Sequence, residues 1–301
     1  MPTEQESPAA TTEPTVRLAV RKTYKLFIGG AFPRSESGRS YPVHTATGDF
    51  MANAALASRK DARDAVRAAR AAFGTWSAAT AYNRGQILYR VAEMLEGRHA
   101  QFTAEVAAAT GDRDAAAAEV DAAIDRWVWY AGWADKIAQV HGAANPVAGP
   151  YFNLSTPEPT GVVAVVAPPE SPLLGLVSVV APAIVSGNTA VVVASEDRPL
   201  PAVTLAEVLA TSDLPDGVVN VLTGRVAEIA PWLASHMDVD AIDLTGVTDA
   251  GLAVDLETAA AENLKRVLRP APASSDWAAD PDVQRMLALI ETKTVWHPKG
   301  I

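Results

Sequence analysis

Cysteine is absent from this chain of 301 residues. That excludes disulfides, thiolate metal sites and a thiol nucleophile. Histidine is scarce: His44, His99, His141, His236 and His297 are scattered, none pairs at i, i+4, and no metal site is expected. Long apolar runs are missing as well. The best stretch, Pro172 to Val185, contains Pro182 and falls short of the roughly 18 residues that a membrane helix needs. No P-loop, HExxH or zinc-finger spacing occurs. Positive charge is in deficit, with a net charge of −10. A broad nucleic-acid face or a membrane-surface role is therefore not expected. The opening MPTEQESPAATTEPTV has no apolar leader core. Residues 1–16 read as a disordered tail, and a cytoplasmic location is expected.

What is present is a large apolar fraction, 49% of residues, enough for a full core. Residues 24–45 alternate around Gly29-Gly30 and Ser37-Gly38 and read as a β-hairpin. Ser58 is placed to cap a helix whose Ala62, Ala65, Val66, Ala69 and Phe73 share one face. Two further helical regions follow, Asn83 to about Ala109 and Asp112 to Gln139. The second is alanine-rich and ends in Trp127, Trp129, Tyr130 and Trp133, most simply a packing cluster.

Residues 142–160 are rich in Pro and Gly but contain the alternating YFNLS, and read as an extended arm. From Gly161 the pattern becomes strand–helix–strand. Strands are expected at 161–167, 189–193, 218–222, 239–244 and 265–268, with helices at about 172–186, 199–211, 225–236 and 248–262. This alternation predicts an α/β fold with a doubly wound parallel sheet. Residues 270–282 read as a linker, followed by a short helix at 283–290 and a last strand-like segment, ETKTVWHP. The domain division is thus 1–16, 17–272 with the arm inside it, and 273–301. The apolar run 161–167 breaks at Pro168-Pro169-Glu170, a junction where nucleotide-binding folds hold phosphate. Glu170 puts a carboxylate there instead.

In order along the chain, KLFIGGAFPRSESGRSYPV, DARDAVRAARAAFGTW, PTGVVAVVAP, APAIVSGNTAVVV, LPDGVVNVLTG, HMDVDAIDLTG and NLKRV resemble the aldehyde dehydrogenase superfamily. VRKTYKLFIGG, YAGWADKIAQVHG, NPVAGPYFN and the final KTVWHP are most similar to the degenerate second unit of family 16. The resemblance implies a Rossmann-type NAD(P)-binding domain with N-terminal helices and a β oligomerisation arm. It also implies a chemistry in which a cysteine attacks an aldehyde, hydride passes to the nicotinamide, and a glutamate activates water.

Residue by residue, that chemistry is not carried over. The catalytic domain that should follow NLKRV is replaced by a jump from about Pro270 to about Asp282. Pro270 stands near the place of the base glutamate of the family's ELGG motif. Glu170 stands at the oxyanion asparagine of PWN, where a carboxylate repels developing negative charge. The family's cofactor contacts are reduced to remnants at Glu196, Pro168, Thr245 and Gly246. Val193 replaces the KPAE lysine, Val226 and Ala230 replace phosphate-side glycines, and Val247 replaces a serine. No cofactor, or weak NAD(P), is the expectation.

Glu170 is expected to complement the dipole of the following helix as an internal substitute for an anion. Glu196 is expected to be a remnant, and Thr245 and Gly246 to shape a turn. The arm and the C-terminal strand carry Tyr151, Phe152, Leu154, Val295 and Trp296. In the family they join an intersubunit sheet. Their retention implies a non-catalytic subunit partnered by a catalytic aldehyde dehydrogenase-like chain, or self-association. The alternatives are a weak nucleotide-binding sensor and a residual oxidoreductase, and arm and tail could also pair only with each other.

Overall fold

The computed structural model describes residues 21–272 and 274–300; the tail assigned to residues 1–16 lies outside them. Its first sheet contains β1 (Thr23–Tyr24), β2 (Ser40–His44) and β3 (Phe50–Ala55), in the order β1-β3-β2. The hairpin is therefore β2–β3, not 24–45. Gly29-Gly30 does turn the chain, with Ile28 N–H donating to Ala31 O. But Phe27, before that turn, exchanges backbone hydrogen bonds with Val221, far along the chain. Leu26 and Phe27 are buried apolar residues, and joining the edge of the main sheet covers them better than a local hairpin.

Four helices and a short fifth follow: α1 (Arg59–Ala78), α2 (Ala81–Glu96), α3 (His99–Thr110), α4 (Arg113–Ala131) and α5 (Ile137–His141). Ser58 caps α1 in a reciprocal box: its hydroxyl accepts from Lys60 N–H, and Asp61 accepts from Ser58 N–H. Ala62, Ala65, Val66 and Ala69 are buried. Phe73 is only half-buried; Trp76, nearly one turn further, is the fully buried anchor, its indole N–H donating to Ile184 O at 3.0 Å. The region 83–109 breaks at Gly97, giving α2 and α3 rather than one helix. Trp127 and Tyr130 are buried, and Trp129 packs against Tyr130 and Trp133.

β4 (Ala143–Asn145) and β5 (Tyr151–Pro159) form the arm. Then come β6 (Val162–Val166), α6 (Leu174–Val185), β7 (Thr189–Val193), α7 (Leu200–Leu209), β8 (Val219–Leu222), α8 (Val226–Ser235), β9 (Ala241–Asp243), α9 (Ala250–Ala261) and β10 (Arg266–Leu268). The five strands pair in parallel in the order β10-β9-β6-β7-β8. Every residue of β6 and β7 is buried, which is why they read as unbroken Val/Ala runs. Strand order reverses between β6 and β9, so the crevice of this doubly wound sheet lies beyond their C-terminal ends.

The chain then crosses that end, forms α10 (Gln284–Ala288), and enters β11 (Ile290–Pro298). β11 pairs antiparallel with β5 along its whole length, from Ile290 opposite Pro159 to Pro298 opposite Tyr151. The outlying sheet has the order β11-β5-β4. Arm and tail thus pair with each other, and β5, expected to offer a free edge, is the central strand. The edges left without a partner among the described residues are the outer side of β11 and that of the short β4.

Candidate functional site

The loop after β6 carries Pro168, Pro169 and Glu170, and the loop after β9 carries Thr245, Gly246 and Val247. With Pro270 and Pro272 beyond β10 they enclose a cleft of about 470 Å³, lined also by Thr248. The two loops are stitched together: Gly246 N–H donates to Val166 O at 3.0 Å. A Cβ on Gly246 would collide with the Ala167 carbonyl. This position needs glycine for close approach, and Gly246 with Val247, whose N–H donates to Leu244 O, shapes the turn.

The anion at the start of α6 is not Glu170. Leu173 at its N-cap supplies no side-chain cap. Glu119, reaching from α4, fills the place: its Oε1 accepts from Leu173 N–H and Leu174 N–H, both at 3.0 Å, and from the Ser171 hydroxyl at 2.9 Å. Ser171 in turn accepts from Gly175 N–H. A half-buried carboxylate holding orphan amides and facing the positive helix end satisfies both local requirements. Glu170 is displaced outward, where it accepts from the Trp277 indole N–H at 2.8 Å. The start of α9 is likewise occupied, since Asp249 Oδ1 accepts from Gly251 and Leu252 N–H at 2.8 and 3.1 Å.

The floor of the crevice holds an ion pair with no counterpart in the sequence reading. Asp243, at the end of β9, has no exposed surface, and Arg285 of α10 reaches it at 2.8 Å with its own side chain 24% exposed. Arg285 also donates to Thr245 Oγ1 at 2.8 Å, and both the N–H and the hydroxyl of Thr245 donate to Asp243. Thr245 is therefore committed inside the protein. Arg126 clamps the crossing segment, donating to the carbonyls of Trp277 and Ala279 at 3.0 and 2.8 Å and to Ser178 Oγ at 2.8 Å. Burial holds this guanidinium below its ordinary pKa.

Val193, Ala230 and Val247 are buried members of one apolar cluster with Leu222 and Ile229, and Val226 packs on its margin. Their side chains fill the sheet's helical flank. Glu196 lies apart from the crevice. It lines a separate cleft of about 320 Å³ with Tyr41, His44 and Arg198. Burial, and secondarily the Glu196 carboxylate, push the Tyr41 phenol well above its ordinary pKa. So the structure brings Glu170, Thr245, Gly246 and Pro270 together, with Pro168 on the same loop, and leaves Glu196 elsewhere. Among the described residues no group of three His, Cys, Asp or Glu side chains could hold a metal ion.

A sequence profile described as the aldehyde dehydrogenase family matches residues 32–296. The chain belongs to the aldehyde dehydrogenase family. Retinal dehydrogenase 2 of Gallus gallus is 38% identical over 260 residues, covering 84% of this chain and 49% of that protein. Aldehyde dehydrogenase family 2 member B4, mitochondrial, of Arabidopsis thaliana is 36% identical, covering 86% and 48%. Among solved structures, HpcC from Thermus thermophilus superposes with a TM-score of 0.77 at 30% identity, over 82% of this chain and 47% of that one. The NAD+ complex of an aldehyde dehydrogenase from Bacillus cereus gives a TM-score of 0.77 at 29% identity, over 82% and 50%. The chain spans about half the length of the relatives it matches. Its fold is the NAD-binding half of an aldehyde dehydrogenase with the β arm, and the catalytic domain is missing.

Proposed function

We propose that this aldehyde dehydrogenase-family chain is a non-catalytic, cytoplasmic subunit that assembles with a catalytic NAD(P)-dependent aldehyde dehydrogenase-like chain and supports or regulates it. The observation that carries the reading is the outlying sheet. Tyr151, Phe152, Leu154, Val295 and Trp296 are each between 41% and 58% exposed there. The register puts Leu154 beside Val295 and Asn153 beside Trp296, so apolar groups face solvent on both sides of a thin sheet with a free edge. Such a surface invites an obligate partner. Within the family, the KTVWHP end and the YAGWADKIAQVHG stretch favour the second unit of family 16.

The crevice supports the non-catalytic half of the proposal. A dinucleotide pyrophosphate needs free amides or cations at close approach. The α6 and α9 N-termini already hold Glu119 and Asp249, and the start of α8, which has no side-chain cap, carries Val226 and Ala230 where the family has phosphate-side glycines. The residues present do not fit the cofactor's phosphates, so NAD(P) binding is absent or weak. A second reading, a weak nucleotide-binding sensor, draws on the surviving cleft and on the NAD+ bound by the Bacillus cereus relative.

The test is co-purification of the native, tagged chain from its own lysate, with mass photometry of the eluate. An aldehyde dehydrogenase-like chain in a defined ratio supports the proposal. A monomer with no such chain sinks it. Micromolar NAD+ affinity by calorimetry favours the sensor. Reduced-nicotinamide production by the pure chain from aldehydes overturns both readings.

A further inference from the structure

A second surface, which shares no residue with the arm, lies where the start of α1 meets the end of α8. The Arg59 guanidinium stacks on the Trp232 ring, 3.7 Å from its centroid. Two adjoining clefts, of about 570 and 460 Å³, share this stacked pair. The larger is lined by Lys60, Arg63, His236 and Met237, and Arg39 borders the smaller. Trp232 is 40% exposed and Met237 77%, on a surface with no role in the crevice. Beside them the Asn263 amide approaches the Met237 sulfur, and Leu264, next in sequence, is 90% exposed in the left-handed region at φ 58°. A non-glycine residue held there is strained, and it presents an apolar side chain to solvent.

The charge on this face runs against the whole. The chain carries a net −10, yet Arg39, Arg59, Lys60 and Arg63 gather here. Lys60 is matched by Glu36 at 3.1 Å and Arg63 by Asp64 at 2.8 Å, and Glu228, the one carboxylate lining the smaller cleft, lies 3.8 Å from Arg225. Among the described residues, Arg59 and Arg39 form no ion pair. Stacking holds the Arg59 fork flat while leaving its edge free, the geometry that takes a carboxylate with two parallel hydrogen bonds. Trp and Arg are the residue types that dominate binding energy at protein interfaces, and Met adapts to the shape of an apolar side chain.

We infer that the face between α1 and α8 docks a short acidic peptide segment of another protein, with its carboxylates on Arg59 and Arg39 and an apolar side chain in the Trp232–Met237 cleft. Two unmatched guanidiniums are too few for a phosphate lattice, and the net negative charge of the chain repels polyanions and anionic bilayers. A segment with a few carboxylates meets only the local positive field. The cleft is large enough for a leucine or aromatic anchor.

Fluorescence anisotropy of the full chain with a short labelled peptide of alternating glutamate and leucine tests this. Binding in the micromolar range at low salt is expected, and none by the same peptide with lysine for glutamate. Arg59→Ala and Trp232→Ala should each weaken binding by about tenfold, the loss of one anchor contact. Arg59→Lys, which keeps the charge without the flat fork and leaves the fold least disturbed, should weaken it severalfold. Arg90→Ala, on α2 outside this face, should leave it unchanged. The inference is overturned if the Arg59 and Trp232 variants bind as the parent does, or if the lysine peptide binds equally well. Preferential binding of phosphatidylserine vesicles or a single-stranded oligonucleotide would also overturn it. So would a severalfold gain in peptide affinity on deleting residues 1–20, because the occupant would then be the chain's own segment.

Discussion

The crevice end of the parallel sheet and the outlying sheet are built on opposite principles. At the crevice nearly every polar group is matched from within. Asp243 has Arg285, the α6 amides have Glu119, the α9 amides have Asp249, and Glu170 has Trp277. The stretch from β10 through α10 supplies two of those partners. In the outlying sheet β5 and β11 pair along their whole length, but apolar side chains on both faces and the outer edges of β11 and β4 are left to solvent. At the crevice polar side chains are turned inward onto one another, and in the outlying sheet apolar side chains are left outward. In the proposed reading, binding chemistry and assembly are separable properties of one fold, held by different residues.

Substitutions at the crevice should damage the fold, and substitutions in the outlying sheet should not. The largest effect is expected for Arg285→Ala, which strands a fully buried carboxylate. Breaking one partner of such a pair costs about 3–5 kcal/mol, read as a lower urea midpoint with an unchanged slope. Replacing Asp243 and Arg285 together by apolar residues should restore most of that loss. A midpoint unmoved by Arg285→Ala would mean that the crevice is not sealed in the way described. Next in size is Glu119→Ala, which strips a cap from α6 and leaves two amides unmet, at about 1–2 kcal/mol. Amide hydrogen exchange at Leu173 and Leu174 should quicken in that variant and stay slow elsewhere in α6.

A smaller effect concerns the root of β11. A hydrogen bond from Arg266, 2.8 Å away, holds the Glu291 carboxyl below the usual carboxylate range. A depressed carboxylate stabilises the fold above its unfolded pKa, and that contribution disappears as pH falls through the folded value. Acidification should therefore loosen β11 from its Ile290 end. Because the pair is exposed and screened, the change should stay below about 1 kcal/mol. Exchange rates of β11 amides against pH would show it, and Glu291→Gln should flatten the profile below neutrality. Smallest for the isolated chain is Phe152→Asp with Trp296→Asp, expected within about 0.5 kcal/mol of the parent. The same double change should abolish recovery of the proposed partner. Large destabilisation instead would mean that the outlying sheet belongs to the folding core.

The parallel sheet was legible because β6 and β7 are buried on both faces and consist of little but Val and Ala. The N-cap at Ser58 was legible because it is local, whereas its reciprocal partner Asp61 emerged only in the structure. What misled was distance along the chain. Phe27 looks like the first half of a hairpin until Val221 takes its hydrogen bonds. Trp76 sits nearly one turn beyond a plausible Phe73, and only its bond to Ile184 O explains the choice. At the crevice, Glu170 was singled out because it stands at a strand–helix junction, yet the carboxylate that serves α6 comes from α4, about fifty residues earlier. Asp243 did leave a trace, a lone charge inside the apolar AIDL run. A buried strand-end carboxylate implies a cation somewhere, but nothing in the sequence pointed to Arg285.

The pairing of β5 with β11 also sets a schedule. Tyr151–Pro159 emerges during synthesis long before Ile290–Pro298 exists to cover its flank. At about 5–20 residues per second, the roughly 130 residues between them take about 7–26 s to make. Through that interval β5 has only the three residues of β4 beside it, while Phe152 and Leu154 stand bare. The nascent chain thus has a window in which the same strand can be claimed by its own terminus, by a neighbouring nascent chain, or by a chaperone. Slowing translation between β5 and β11 should widen that window and raise the aggregated fraction, with no change in the thermodynamic stability of the finished protein.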